Sequence, residues 1–242
     1  MAEAAGGGGG DACRPPSPRV LVLHGLVPAP AGEDDGREAR LLARLPPAMQ
    51  AEITRYRRAE DRMARIAARL LLGTALARLG LGAHAGLEAW ERTAAGRPFL
   101  RGVPAVDVSL SHSGGWAAAA IGLGCRVGLD IEPWQRAIGP DAFAFLLTAA
   151  ERARIAALAP DAAAAARELL RCWTLREAVL KADGSGLLAE EDAIRAIGEG
   201  RYPHGRRWHV RHWAAGPGWL ALATDAEAAR IDIEQTVPAA PG

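Results

Sequence analysis

Gly115-Trp116-Ala117-Ala118-Ala119-Ala120, running on to Gly128-Leu129-Asp130-Ile131-Glu132, has an echo later in the chain. The echo is Gly218-Trp219-Leu220-Ala221-Leu222-Ala223, running on to Arg230-Ile231-Asp232-Ile233-Glu234. The tryptophans are offset by 103 positions and the aspartates by 102. Each copy reads as strand, turn, strand, because short apolar runs are bounded by glycine. A repeat of this kind predicts an α+β fold of two similar halves with a cleft between them. The divisions read as a Gly/Pro-rich tail over residues 1–18, a first half over 19–125 and a second half over 126–237. Outward from the repeat, Val20 to His24 reads as a strand, and Pro28 to Arg37 as a Pro/Gly/acidic loop. Helical spacing follows over Arg37 to Leu45 and Pro47 to Leu79, with a break expected near Glu60-Asp61 and a basic face at Arg62, Arg65 and Arg69. Leu87 to Glu91 and Ala105 to Leu110 read as strands. Trp116 to Ile121 and Arg126 to Ile131 read as a strand pair around Gly122-Leu123-Gly124. Helices are expected near Pro140 to Leu147, Thr148 to Leu158 and Asp161 to Ala182, before a closing run of strands.

Composition narrows the class. The 242 residues carry 29 basic and 28 acidic side chains, a net charge of +1, which argues against binding nucleic acid or an anionic membrane through charge alone. Cys13, Cys125 and Cys172 are far apart, forming neither a disulfide framework nor a C-x-x-C metal site. Met1-Ala2-Glu3-Ala4-Ala5 lacks a basic and an apolar signal region, and no apolar run approaches the ~20 residues that span a bilayer. A soluble cytoplasmic protein is the expectation. Lys181 is the single lysine, a position where a compact ammonium is wanted in place of a planar guanidinium, or else a leftover surface residue.

Four segments could carry chemistry. Asp130 and Glu132, two apart on a strand, project to one face while Ile131 points to the other. Carboxylates that close repel unless a cation lies between them, and hard oxygen ligands suit Mg²⁺; a solvated strand end is the plainer reading. Trp173, Glu177 and Lys181 make one stripe on a helix, either a third carboxylate beside a cation or an ordinary i,i+4 ion pair. Ser109-Leu110-Ser111-His112-Ser113-Gly114-Gly115 offers hydroxyls, an imidazole and turn N–H groups to a phosphate. No G-x-S-x-G elbow is present, and neighbours on a strand face opposite ways, so a serine hydrolase is disfavoured. Arg92 and Arg97 flank a glycine turn, and their forks suit phosphate oxygens. The dinucleotide and P-loop glycine motifs are absent.

In order, Gly96-Arg97-Pro98, Ser111-His112-Ser113, Gly128-Leu129-Asp130-Ile131-Glu132 and Trp173-Thr174-Leu175-Arg176-Glu177-Ala178-Val179-Leu180-Lys181 resemble the 4′-phosphopantetheinyl transferase family, in its surfactin-synthetase-activating type. The helix Asp61 to Leu71 adds to a resemblance that covers about Leu42 to Val237. It implies two α+β halves related by a pseudo-twofold, with the active site at their interface. It also implies a holo-[carrier-protein] synthase that moves 4′-phosphopantetheine from coenzyme A to a serine of an apo acyl or peptidyl carrier protein, releasing 3′,5′-ADP. Such carriers serve fatty acid, polyketide or nonribosomal peptide synthesis. By the resemblance, Asp130, Glu132 and Glu177 would ligate Mg²⁺ (Mn²⁺ as the alternative). Arg69, Arg92 and Arg97 would hold the phosphates and nucleotide of coenzyme A, and Ser111 and His112 its 3′-phosphate. Lys181 would bridge the phosphates, and Glu177 would take the serine proton. The sequence departs from the family where arginine replaces the usual lysine at 97 and 176, and where Ser109 stands in place of asparagine. Pro140 to Leu147, with Arg136, Arg152 and Arg154, would dock an acidic carrier helix, or its phenylalanines belong to the core. A Mg²⁺-dependent phosphohydrolase and a non-catalytic coenzyme-A-binding relative remain the alternatives. A cleft built within one chain is compatible with a monomer.

Overall fold

The computed structural model describes residues 17–28, 36–82, 86–135, 143–186 and 190–236. Most of the N-terminal tail, the tip of the loop after the first strand, Arg136, Pro140 to Ala142 and Val237 lie outside them. The chain begins with β1 (Arg19–Leu26), α1 (Arg37–Leu42), α2 (Pro47–Ile53) and α3 (Ala59–Arg78). The short strands β2 (Trp90–Arg92) and β3 (Pro98–Leu100) follow, then β4 (Val106–Ser113), β5 (Trp116–Leu123) and β6 (Val127–Pro133). The remainder is α4 (Ala149–Ala157), α5 (Ala162–Asp183), α6 (Glu191–Ile197), β7 (His209–Ala214), β8 (Gly218–Thr224) and β9 (Arg230–Gln235).

These elements stack in four layers. One sheet has the order β4-β5-β1-β9 and the other β6-β8-β7, with β2-β3 a separate hairpin. Leu21, Leu23, Val108, Ala117, Ala119 and Ile121 face α3, whose Ala67, Ala68, Leu71 and Leu72 fill that core. The alternate residues Val20, Val22, Ala118 and Ala120 face Val127, Leu129, Ile131, Leu220 and Leu222 of the second sheet. Ala221 and Ala223 turn outward onto Ala178, Val179 and Ala182 of α5. Being covered on both sides, β5 and β6 are unbroken apolar runs save for the two acids of β6.

Both copies of the repeat cross between sheets, which the sequence reading missed. β5 pairs with β1 and β4, and β6 pairs with β8, so the hairpin expected around Gly122-Leu123-Gly124 is no hairpin. In the second copy β8 lies in the three-stranded sheet and β9 runs parallel to β1 in the other. The helix break falls at residues 54–58, where Pro47 starts α2 and Glu60 and Asp61 sit in the first turn of α3; acids are stable there because of the helix dipole. Of the helix expected near Pro140 to Leu147, the described part is a single 3₁₀ turn, Ala144–Leu146.

Gly128 sets the spacing between β6 and α5. A Cβ there would collide with the Ala178 carbonyl oxygen and the Ala182 amide nitrogen. The backbone of α5 therefore lies directly on the strand that carries Asp130 and Glu132. Gly128→Ala is expected to destabilise the fold by about 1–3 kcal/mol through overpacking and to move Lys181 away from Asp130. Thermal melting checks the first effect, and a melting temperature equal to wild type would refute the close approach.

Candidate active site

Every second residue of β4 points at the free edge of β6. The Val127 amide donates to Asp107 Oδ2 at 2.7 Å, the Leu129 amide to Ser109 Oγ at 2.9 Å, and the Ile131 amide to Ser111 Oγ at 3.3 Å. Side chains thus satisfy an edge that would otherwise bury unpaired amides. This seam orients the acids: Ser111 Oγ donates to Asp130 Oδ1 at 2.7 Å and Ser113 Oγ donates to Glu132 Oε2. As the sequence indicates, Asp130 and Glu132 lie on one face of the strand, with Ile131 in the core behind them. Both acids are buried.

From the other side α5 delivers Lys181, whose Nζ donates to Asp130 Oδ1 at 2.7 Å and to Ser111 Oγ at 3.1 Å. Burial alone would lower the pKa of this ammonium. Asp130, Glu177 and Glu132 outweigh that effect and hold it above the ordinary lysine value. Glu177 sits one turn back on α5, and Trp173 one turn further, stacked on Phe143 with ring centroids 4.1 Å apart. The four residues that the sequence nominates as metal ligands and phosphate bridge therefore share one electrostatic centre. Among the described residues, no group of three or more His, Cys, Asp or Glu side chains could hold a metal ion as placed. Asp130 Oδ2 is buried without a hydrogen-bond partner among those residues, and an unsatisfied carboxylate oxygen among further acids is donor chemistry that fits a hard divalent cation.

A cleft of about 500 Å³ lies between Lys181 and the first half. Arg65, Arg69, Arg92, Arg97, His112 and Lys181 are among the residues on its wall. The Arg69 and Arg92 guanidiniums flank the Trp90 ring at 5.6 and 5.4 Å, and both pair with Glu52 at 2.9 and 3.0 Å. Arg65 lies over Tyr56 at 3.6 Å. Ser111 is not on the wall, because its hydroxyl is turned onto Asp130 and Lys181. Arg97 lines the cleft but has a committed guanidinium, bound to both oxygens of Asp107. Sequence reasoning missed Glu52, Trp90 and Asp107. Only Asp107 had a signal, the period-two row it forms with Ser109, Ser111 and Ser113. A larger basic concavity along Gly200 to Arg211 contains none of these residues.

His112 is pushed down to about 4, first by burial and then by Arg65, Lys181 and Arg69, against a weaker pull from Asp61. Its ring is neutral at neutral pH. A histidine that folds neutral costs stability once it must charge, so the fold is expected to weaken as pH falls from 6.5 toward 4. His212, likewise lowered to about 4 mainly by burial, contributes with the same sign. Melting temperatures of His112→Gln should show a shallower acid slope than wild type; an identical slope would remove His112 from this account.

A cleft walled by arginines, with an ammonium held among carboxylates on its wall, has the charge to suit a phosphorylated ligand. Residues 126–235 match the 4′-phosphopantetheinyl transferase superfamily. That stretch contains Asp130, Glu132, Glu177 and Lys181, whereas the arginines of the cleft and His112 precede it. The chain is also similar to the L-aminoadipate-semialdehyde dehydrogenase-phosphopantetheinyl transferase of Eremothecium gossypii, 35% identical over 167 residues. The similarity covers 65% of this chain and 58% of that relative. Among the described residues, no helix is long and apolar enough to cross a membrane.

Proposed function

We propose that this protein transfers 4′-phosphopantetheine from coenzyme A to a serine of an apo carrier protein, releasing 3′,5′-ADP, as a transferase of the surfactin-synthetase-activating type. One observation carries the reading: a single cleft brings arginines and a neutral His112 together with Lys181, whose ammonium is held in turn by Asp130, Glu177 and Glu132. Arg69 and Arg92, both against the Trp90 ring, would take the nucleotide and phosphate end, while Arg97 lines the same wall with its guanidinium on Asp107. Asp130, Glu132 and Glu177 would hold Mg²⁺ (or Mn²⁺), which when bound neutralises the diphosphate and polarises its oxygens. The serine oxygen of the carrier bonds to the β-phosphorus of coenzyme A as the bond to the bridging oxygen breaks. Glu177 accepts the serine proton, and Lys181 offsets charge on the departing 3′,5′-ADP. The nucleophile comes from the partner, which is consistent with the serines of β4 being spent on the seam. Ser111 then acts through Asp130 and Lys181, and the 3′-phosphate contact falls to His112 and the arginines.

The reciprocal crossing of β5 to β6 and of β8 to β9 supports the reading of two halves related by a pseudo-twofold, with the site between them. For the carrier, Phe143 is spent on Trp173, but Phe145 is 50% exposed with the Arg195 guanidinium on its carbonyl and suits an amphipathic acidic helix. The fatty acid, polyketide or nonribosomal peptide carriers such a helix belongs to, a cytoplasmic site and a monomeric state complete the proposal. Incubation with coenzyme A, Mg²⁺ and an apo carrier protein tests it by intact mass. A carrier heavier by one phosphopantetheine supports transfer. Free phosphate with an unmodified carrier would point to a phosphohydrolase, and neither product to a coenzyme-A-binding relative; both would overturn the reading.

A further inference from the structure

Asp107 is the first rung of the β4–β6 seam, and it does more than close an edge. Its Oδ2 accepts the Val127 amide at 2.7 Å, and both its oxygens take the Arg97 guanidinium, Nη1 reaching Oδ1 at 2.8 Å. Arg97 in turn donates Nε to the Lys181 carbonyl oxygen at 3.2 Å and Nη2 to the Val127 carbonyl at 3.4 Å. The Lys181 carbonyl is among the last four of α5, which have no partner within the helix. The neighbouring ones are met differently: Gly184 N–H closes on Leu180, and Arg126 Nη2 reaches Asp183 at 3.2 Å. Arg97 therefore supplies both a donor and a positive charge to a helix C-terminus, where each is stabilising. Gly184, at φ 92°, permits this approach, since a Cβ there would lie 3.1 Å from Arg97 Cδ. Arg97 and Asp107 are only 12% and 15% exposed, so the pair is poorly screened and its bidentate geometry holds.

We infer that Asp107 is a positioning residue: through Arg97 it ties the last turn of α5 to the start of β6 and so sets the reach of Lys181 to Asp130. With its charge balanced by Asp107, Arg97 adds little net positive potential to the cleft and acts mainly as the link. The kinetic consequence rests on the transfer reading above, while the structural one does not. Asp107→Asn is the informative variant, because its amide oxygen still accepts the Val127 N–H while the charge-assisted fork to Arg97 is lost.

The test compares wild type, Asp107→Asn, Arg97→Ala and the double variant in two measurements on the full chain. In steady-state transfer, both single variants are expected to lower kcat about tenfold with the KM for coenzyme A changed less than about threefold, and the double variant to be no worse than either. If Arg97 is instead a phosphate ligand, Asp107→Asn frees its guanidinium, and the KM falls or holds with kcat intact. That result overturns the inference. In native-state hydrogen exchange, the amides of residues 178–183 should exchange faster in Asp107→Asn than in wild type. Unchanged exchange there overturns the inference, whether or not the wild-type protein modifies a carrier. A wild type without transferase activity defeats the proposed function alone, and the exchange comparison then decides this inference.

Discussion

Asp130→Asn is expected to reduce phosphopantetheine transfer ~10²–10³-fold, the loss typical when one element of a preorganised electrostatic site is removed. The side chain is nearly isosteric, so Ser111 keeps an acceptor and the fold is expected to survive. What disappears is the negative charge that holds Lys181 and that, through Oδ2, would ligand the cation. Glu177→Gln should cause a comparable loss by a different route, because under the proposed mechanism it removes the acceptor for the serine proton. Both effects should appear in kcat more than in the KM for coenzyme A, whose phosphates and nucleotide would on the proposed reading be gripped by the arginines of the cleft. Single-turnover transfer followed by intact carrier mass measures this, with the melting temperature as the folding control. Wild-type rates in a folded Asp130→Asn protein would sink the site assignment.

The second large effect concerns stability. Arg176, 1% exposed, forks onto Glu151, 5% exposed, with Nη1–Oε1 at 2.9 Å and Nη2–Oε2 at 2.6 Å. Glu151 also completes a capping box with Thr148 at the start of α4. Burial alone would raise this carboxyl, but the hydrogen bonds from Arg176 and Thr148 overcome it and hold the pKa down to about 2. Arg176→Met would leave a buried, uncompensated carboxylate and is expected to cost ~3–5 kcal/mol, a drop in melting temperature of roughly 10 °C for a chain of this size. The sign of the pH dependence follows from the lowered pKa. The pair's contribution is complete above pH 4.5 and is lost as pH falls from there toward 2, so wild type and variant should converge in strong acid. A variant that melts within 2 °C of wild type at neutral pH would contradict this account. It also explains the arginine that stands where the family resemblance leads one to expect lysine. Only a planar fork can satisfy both Glu151 oxygens while reaching the Cys172 and Arg195 carbonyls.

The positions of the candidate residues were legible wherever local periodicity decides geometry. Spacing of two put Asp130 and Glu132 on one face, and spacing of four put Glu177 and Lys181 on one stripe. The short apolar runs bounded by glycine marked strands. Roles that depend on a partner far along the chain were not legible. The seam between β4 and β6, the Glu52 carboxylate shared by Arg69 and Arg92, and the Asp107–Arg97–Lys181 link all join residues through space. No periodicity records such contacts.

The two Asp-Ile-Glu tripeptides show where the division lies. Their alternation makes both of them strands with the acids on one side, and this follows from the chain alone because the pleat has a period of two. In β6 the acids meet β4 hydroxyls and a lysine from α5 and become a buried charged centre. In β9, Asp232 pairs with Arg19 at 3.0 Å and Arg230 at 3.1 Å, and Glu234 with Arg78, as part of the ordinary surface. Which copy became the buried charged centre was settled by which sheet each strand joined and which helix came to lie across it, since a carboxylate's chemistry is set by neighbours that only the packed chain supplies.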